Sequence, residues 1–246
     1  MNRRRFLPFL FAAAAAATVW PVAELAAETE KVAPQQTWAR LRFRAERNDD
    51  DDWNVHPNAD LNLIEVINRN TTLNVEPKWY VADVASLEEM VQHPFLFMHA
   101  ELPPTLSDAE RANLREYLLR GGFLFAEDCV NGKGRTAGWP NNGDVFFQRM
   151  RKELPRIVPE AKFELLPNSH PIFHNVFGFK DGMPRMQGRS SGLWALTLNG
   201  RVLALLSPCD IHCGWANGDQ WFHPGAAAIA LRMGVNIYVF AMTQGE

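Results

Sequence analysis

Residues 121–129, GGFLFAEDC, constrain the fold more than any other stretch. Phe123, Leu124, Phe125 and Ala126 form an unbroken apolar run with two glycines before it and two acids after it, the pattern of a strand buried on both faces. A well-signalled helix precedes it. Ser107 and Glu110 have capping-box spacing, Leu114, Leu118 and Leu119 share one face, and Gly121 supplies a C-terminal stop. Before that helix lies another apolar run, Phe95 to Met98, which leads into His99. Strand, crossover helix and strand make the unit of a parallel sheet. Open parallel sheets bind ligands beyond the carboxyl ends of their strands. His99, Glu101, Glu127, Asp128 and Cys129 all fall at such ends, so the sequence places a site before it says what the site does.

The same reading extends along the chain. Residues 37–44 alternate Trp38, Leu41 and Phe43 with basic residues and read as the first strand. They run into an acidic loop, Asp49 to Asp52, followed by Trp53. That loop is either a solvated charge run or a place for a cation or polyol; its spacing is not that of an EF-hand. A helix follows Pro57 and Asn58 and ends near Asn70, with a strand around residues 79–81 and a short helix at 86–91. Residues 131–143 form a glycine-rich loop that lacks phosphate-loop order and reads as a flap. Residues 145–154 predict a helix with Phe146, Phe147, Met150 and Leu154 inward, and 163–166 a strand. His170 and His174 bracket a Pro-Ile-Phe turn, where a structural role outweighs a catalytic one. Asn199-Gly200 between two apolar runs is a hairpin signal. Residues 207–215, SPCDIHCGW, read as the last loop of the site, and 226–242 as a closing helix packed on the sheet.

The amino terminus carries a different message. Arg3-Arg4-Arg5-Phe6-Leu7 has the pattern of a twin-arginine signal, followed by an apolar segment to Val19 and small residues to Ala27. That segment is shorter than the roughly 20 residues of a membrane span. The expected organisation is a signal peptide over 1–27, a mobile linker over 28–36 and one domain over 37–246, long enough for a sizeable α/β core. Export to the periplasm follows, and no second long apolar stretch suggests a span after cleavage. Loss of residues 1–27 removes three Arg and one Glu, taking the formal charge from −3 to about −5. With no basic face interleaved with aromatics, this argues against nucleic acid. Cys129, Cys209 and Cys213 would meet an oxidising compartment, where one disulfide and one spare thiol are open in three pairings. Cys209–Cys213 is the candidate pair.

TWARLRF, the acid–Trp loop, PFLFMHAELPPTLSDAERANLREYLLRGGFLFAEDC, LPNSHPIFH, SPCDIHCGW and LRMGVNIYVFAMT together resemble a bacterial family called domain of unknown function 4159. The resemblance covers nearly all of the chain after the signal. It implies a flavodoxin-like α/β fold of the class I glutamine amidotransferase type, shared with ThuA-like proteins: a mostly parallel sheet with helices on both faces. It implies no established activity. The chain departs from an active amidotransferase, because Cys129 follows Ala126-Glu127-Asp128 without the flanking glycines of a nucleophile elbow, and no His-x-Glu comes later.

Three chemistries remain open. A divalent metal could sit among His99, Asp128 and His212, with Asp210 and Cys213 near, and generate hydroxide for hydrolysis of a carbohydrate or envelope substrate. Cys129 could act as a nucleophile beside His99 or His212, although Asp128 should raise its pKa. Binding without turnover is the leading expectation. In that reading a small molecule or glycan meets a pocket of Asp52, Trp53, His99, Glu127, Asp128, Cys129, Asp210, His212 and Trp215. Trp53, Trp139, Trp215 and Trp221 are candidate sugar-stacking faces, although a tryptophan more often fills a core.

Overall fold

The computed structural model describes residues 35–46, 52–130, 144–188 and 191–244. The expected signal peptide, most of the expected linker, Asp49 to Asp51, and residues 131–143 of the expected flap, with Trp139, lie outside the described residues. The strands are β1 (Gln35–Arg42), β2 (Asn74–Asp83), β3 (Phe95–Ala100), β4 (Phe123–Asp128), β5 (Lys162–Leu165), β6 (Trp194–Leu198) and β7 (Arg201–Ser207). The helices are α1 (Ala59–Asn70), α2 (Leu87–Met90), α3 (Asp108–Leu119), α4 (Val145–Ile157), α5 (Ile211–Trp221) and α6 (Ala226–Thr243).

The strands form one seven-stranded sheet in the order β2-β1-β3-β4-β7-β6-β5. From β2 to β7 the neighbours are parallel, and β6 is antiparallel to both β7 and β5. This is the flavodoxin-like α/β architecture. Strand order reverses at β1, so the crevice beyond β1 and β3 is the switch point where such sheets take ligands.

Side chains alternate across the pleat and set two cores. Trp38, Phe95, Phe97, Phe123, Phe125 and Leu205 pack with α1, α5 and α6 on one face. Leu41, Leu96, Met98, Leu124, Ala126 and Leu206 pack with α3 and α4 on the other. Local signals hold where expected. Ser107 and Glu110 close the capping box at α3, and Asn199 (φ 50°) with Gly200 (φ 82°) turns β6 into β7. Helix α6 is long and apolar enough to cross a membrane by length and composition, yet half of that stretch is buried in this domain.

One element departs from expectation. The segment read as a loop through Trp215 is the start of α5. Its polar and glycine-rich sequence hides the helix, and the reason for the glycines is contact with α6. A Cβ on Gly214 would stand 2.4 Å from Ala230 Cβ, and one on Gly218 2.6 Å from the backbone nitrogen of Ala227. Small residues four apart let two helices touch along their backbones. Gly218→Ala gains helix propensity of about 1 kcal/mol but overpacks that contact, so it is expected to lower stability by a net 1–2 kcal/mol or so. Thermal unfolding of the purified variant checks this, and an unchanged midpoint would refute the close approach.

Candidate functional site

The pleat sorts the acids at the strand ends. Counting along β3 and β4, His99 and Glu127 continue the Phe95–Phe97 and Phe123–Phe125 face, toward α1 and α5, and they are register partners. Asp128 is one residue further and turns to the α4 side, where its Oδ2 accepts the backbone N–H of Phe147 at 2.6 Å. The expected metal set of His99, Asp128 and His212 is therefore divided by the sheet, since consecutive strand residues face opposite ways. Burial pushes the Asp128 carboxyl well above the usual carboxylate range, and its Oδ1 has no hydrogen-bond partner.

Glu127 builds the floor of the site. Its Oε1 accepts the Ser207 hydroxyl at 2.8 Å and the Ile211 N–H at 3.1 Å, and its Oε2 accepts the His212 N–H at 2.9 Å. It thereby ties β4, β7 and the first turn of α5 together. Burial, reinforced by Asp210, pushes the carboxyl up to about 8. Every hydrogen-bonded neighbour is nevertheless a donor, because the Ser207 hydroxyl itself accepts the Cys209 N–H at 3.0 Å. The carboxylate at the N-terminus of α5 is the form this arrangement accommodates.

Asp210 precedes α5 in a left-handed conformation, φ 56°, a mild strain that aims its side chain inward. Its Oδ2 accepts the Val130 N–H at 3.1 Å and the Gln187 amide, while Oδ1 has no hydrogen-bond partner and lies 3.9 Å from His99 Nε2. Burial pushes this carboxyl up to about 7. Both ring nitrogens of His99 are buried without partners. Burial, then His212 and Arg40, holds its pKa well below 6.5, so the imidazole is neutral. Phe97 stacks beside that ring at 5.5 Å and His212 lies at 4.1 Å.

A buried ion pair absent from the sequence reading supports the other side. Arg40, on β1, grips Asp60 of α1 through Nε (2.7 Å) and Nη2 (2.6 Å), and Trp38 Nε1 donates to the same carboxylate at 2.8 Å. His212 Nε2 sits 2.9 Å from Arg40 Nη2 and 3.0 Å from Asp60 Oδ1. Burial lowers the His212 pKa to about 4 against the pull of Asp60, so Arg40 balances the Asp60 charge. The available signal was an arginine inside an apolar strand. Asp60 gave less warning, since an acid in a first helical turn ordinarily just complements the dipole.

The cysteines assemble differently from expectation. All three are free, and Cys213 faces Cys129, with the two Sγ atoms 3.8 Å apart. Cys209 instead directs its thiol to the Gly192 carbonyl at 3.7 Å. The expected Cys209–Cys213 pair is not formed: α5 begins between the two residues and its first turn carries Cys213 toward Cys129, while Cys209 stays just beyond the end of β7. The hydrogen bond to Cys213, then burial, holds the Cys129 thiol well above its ordinary pKa, which makes it a poor nucleophile. Positive φ among the described non-glycine residues occurs at His56, Asn199 and Asp210, so Cys129 has no strained elbow either.

The tryptophans divide as well. Trp215 is core, edge-on to Trp38 at 6.1 Å with its Nε1 bonded to the Ala230 carbonyl, and offers no face to a sugar. Trp53 is half-buried against the α3–α4 side, and Trp221 is exposed beside His56. Asp52 is buried and accepts the Leu102 N–H at 2.7 Å, pinning the turn after β3; burial pushes its carboxyl up to about 6. His170 and His174 hold their own turn through the Ile172 N–H and the Asn168 carbonyl.

The model of the family described as "domain of unknown function (DUF4159)" matches residues 37–242. The chain belongs to the DUF4159 family. The match spans every element that builds the site, from Arg40 on β1 to α6. Among solved structures, a ThuA-like protein from Bacteroides uniformis ATCC 8492 is similar to this DUF4159 chain with a TM-score of 0.43 and 11% identity, covering 86% of this chain and 94% of that one. No curated protein matches it.

Proposed function

We propose that this DUF4159 protein is an exported, periplasmic ligand-binding or envelope-associated protein, and that it takes a polar ligand at the carboxyl ends of β3, β4 and β7. One observation carries the reading. His99 Nδ1 and Nε2, Asp210 Oδ1 and His212 Nδ1 are buried without hydrogen-bond partners on one side of the sheet. Native interiors pair such atoms, and each left alone costs about 1–3 kcal/mol, so their concentration at strand ends marks a place where something else supplies the partners. The twin-arginine pattern supports export of the chain already folded. The high thiol pKa of Cys129 and the lack of an elbow speak against amidotransferase-type chemistry.

The reading is tested on protein recovered from the periplasm, shortened near residue 27. Native mass spectrometry should find an adduct, or the unfolding midpoint should rise with divalent metal ions, polyols or envelope fragments; at a ligand concentration of 100 Kd the gain is about 2.7 kcal/mol. Protein found only in the cytoplasm would remove the export half of the proposal. No adduct and no shift would remove the binding half. Chelator-sensitive breakdown of a fragment during the screen would instead favour the second reading, a metal-dependent hydrolase of a carbohydrate or envelope substrate, which draws on the same unpartnered atoms.

A further inference from the structure

We infer that the ligand of this site is a thiophilic divalent metal ion, zinc first, held by His99, Cys129, Asp210 and Cys213. The inference rests on the binding reading above and names its ligand.

Ligand atoms of His99, Cys129 and Asp210 already lie within 4.8 Å of one another, and all three residues are buried. Cys213 completes a set of four through its contact with Cys129. Two thiolates bound to a tetrahedral zinc at about 2.3 Å each stand about 3.8 Å apart. The two Sγ atoms are 3.8 Å apart here. Ordinary sulfur contact spans a similar distance, so the other two residues decide the matter. His99 is buried and has no hydrogen-bond partner on either ring nitrogen, which leaves an imidazole nitrogen available to a metal. Asp210 has one oxygen fastened by Gln187 and Val130 and the other bare, the outer-partner arrangement that orients a carboxylate toward a metal. Its bare Oδ1 is 3.9 Å from His99 Nε2. Closing these two onto one tetrahedral ion needs about half an ångström.

Donor chemistry narrows the ion. Two thiolates with imidazole and carboxylate select zinc or a similar borderline-soft metal over calcium or magnesium. Binding displaces the two thiol protons to solvent and oxidises nothing. Four protein ligands fill a tetrahedral shell, which describes a closed site that joins β3, β4 and α5 rather than one with an open position for substrate. His212 stands outside the shell, its Nε2 engaged with Arg40 and Asp60. Asp128 stands on the far face.

The experiment uses full-length exported protein purified from the periplasm. Elemental analysis should find one zinc per chain, and exchange for cobalt(II) should give thiolate-to-cobalt charge-transfer absorption. Cys129→Ser and Cys213→Ser should each cut that absorption to about half, the double variant should abolish it, and each single change should weaken zinc binding by more than the roughly 10–100-fold that loss of an outer partner costs. Asp128→Asn should keep both. Should the serine variants fail to fold, the wild-type cobalt spectrum decides alone, since cobalt bound without thiolate absorption overturns the assignment. A Cys129–Cys213 disulfide in the periplasmic protein, or the absence of stoichiometric metal, also overturns it. An organic adduct without metal would defeat this inference and leave the binding reading standing; neither metal nor adduct would defeat both.

Discussion

Arg40→Ala is expected to destabilise the domain by about 3–5 kcal/mol, a large share of the roughly 5–15 kcal/mol that holds an ordinary domain folded. The guanidinium is 1% exposed and its partner Asp60 is fully buried. The arginine donates two hydrogen bonds to Asp60 and three to the carbonyls of Trp53, Val55 and His56, which shape the turn before α1, and its Nη2 also meets His212 Nε2. Removing it strands a carboxylate in the interior, and the penalty is that of an unpaired buried charge rather than the modest worth of an intact pair. Arg40→Lys should recover little, because one ammonium cannot reproduce the fork. Replacing both partners by leucine should cost less than the sum of the single changes, since no charge is then left behind. Urea unfolding of the wild type, Arg40→Leu, Asp60→Leu and the double variant measures this. Strict additivity would show that the pair does not act as a unit.

The same pair fixes an acid dependence. Burial raises the Asp60 pKa, but the Arg40 charge and hydrogen bonds, helped by His212, outweigh it and bring the carboxyl to about 2, below its ordinary 3.8. A depressed acid pKa means that the unfolded chain binds the proton more readily. The contribution is therefore complete above pH 4 or so and is lost as pH falls through the folded value near 2. Its size is on the order of 2–3 kcal/mol at about 1.4 kcal/mol per pKa unit. Asp60→Asn should flatten that part of the stability profile while lowering stability at neutral pH.

Glu127→Ala is the second large expectation, a loss of about 3–5 kcal/mol together with loss of the site. Three donors converge on this carboxylate, and each buried donor left alone costs about 1–3 kcal/mol, with a cavity added. Two of the donors are the Ile211 and His212 N–H groups that open α5. Freeing them loosens the turn that carries Asp210, His212 and Cys213. Glu127→Gln should be milder, because its carbonyl still accepts while its amide faces a donor. Hydrogen exchange reads the local effect directly: the Ile211 and His212 amides should lose protection while those of β3 keep theirs. Unchanged protection at both amides would refute the anchoring role.

The candidate site was legible in outline. Nine residues were expected in one pocket; among them Glu127, His99, Cys129, Asp210 and His212 do gather on the α1–α5 side. Asp128 sits next to Glu127 in the chain and next to α4 in space, and only register separates them. Trp215 was expected to lie in a loop and fills the core, because the loop is a helix whose glycines meet α6.

What the sequence by itself determined is the succession of elements and the end of the sheet where polar groups collect. Capping boxes, apolar runs and the Asn-Gly turn act within a few residues, so they can be read without knowing the rest of the chain. Only the tertiary structure decided which of those groups meet. Cys129 and Cys213 are 84 residues apart, Arg40 and His212 172. Their contacts exist because β1, β3, β4 and β7 stand side by side and α5 folds back across them. Strand order and pleat direction set that arrangement, and neither leaves a mark on any short stretch of the chain.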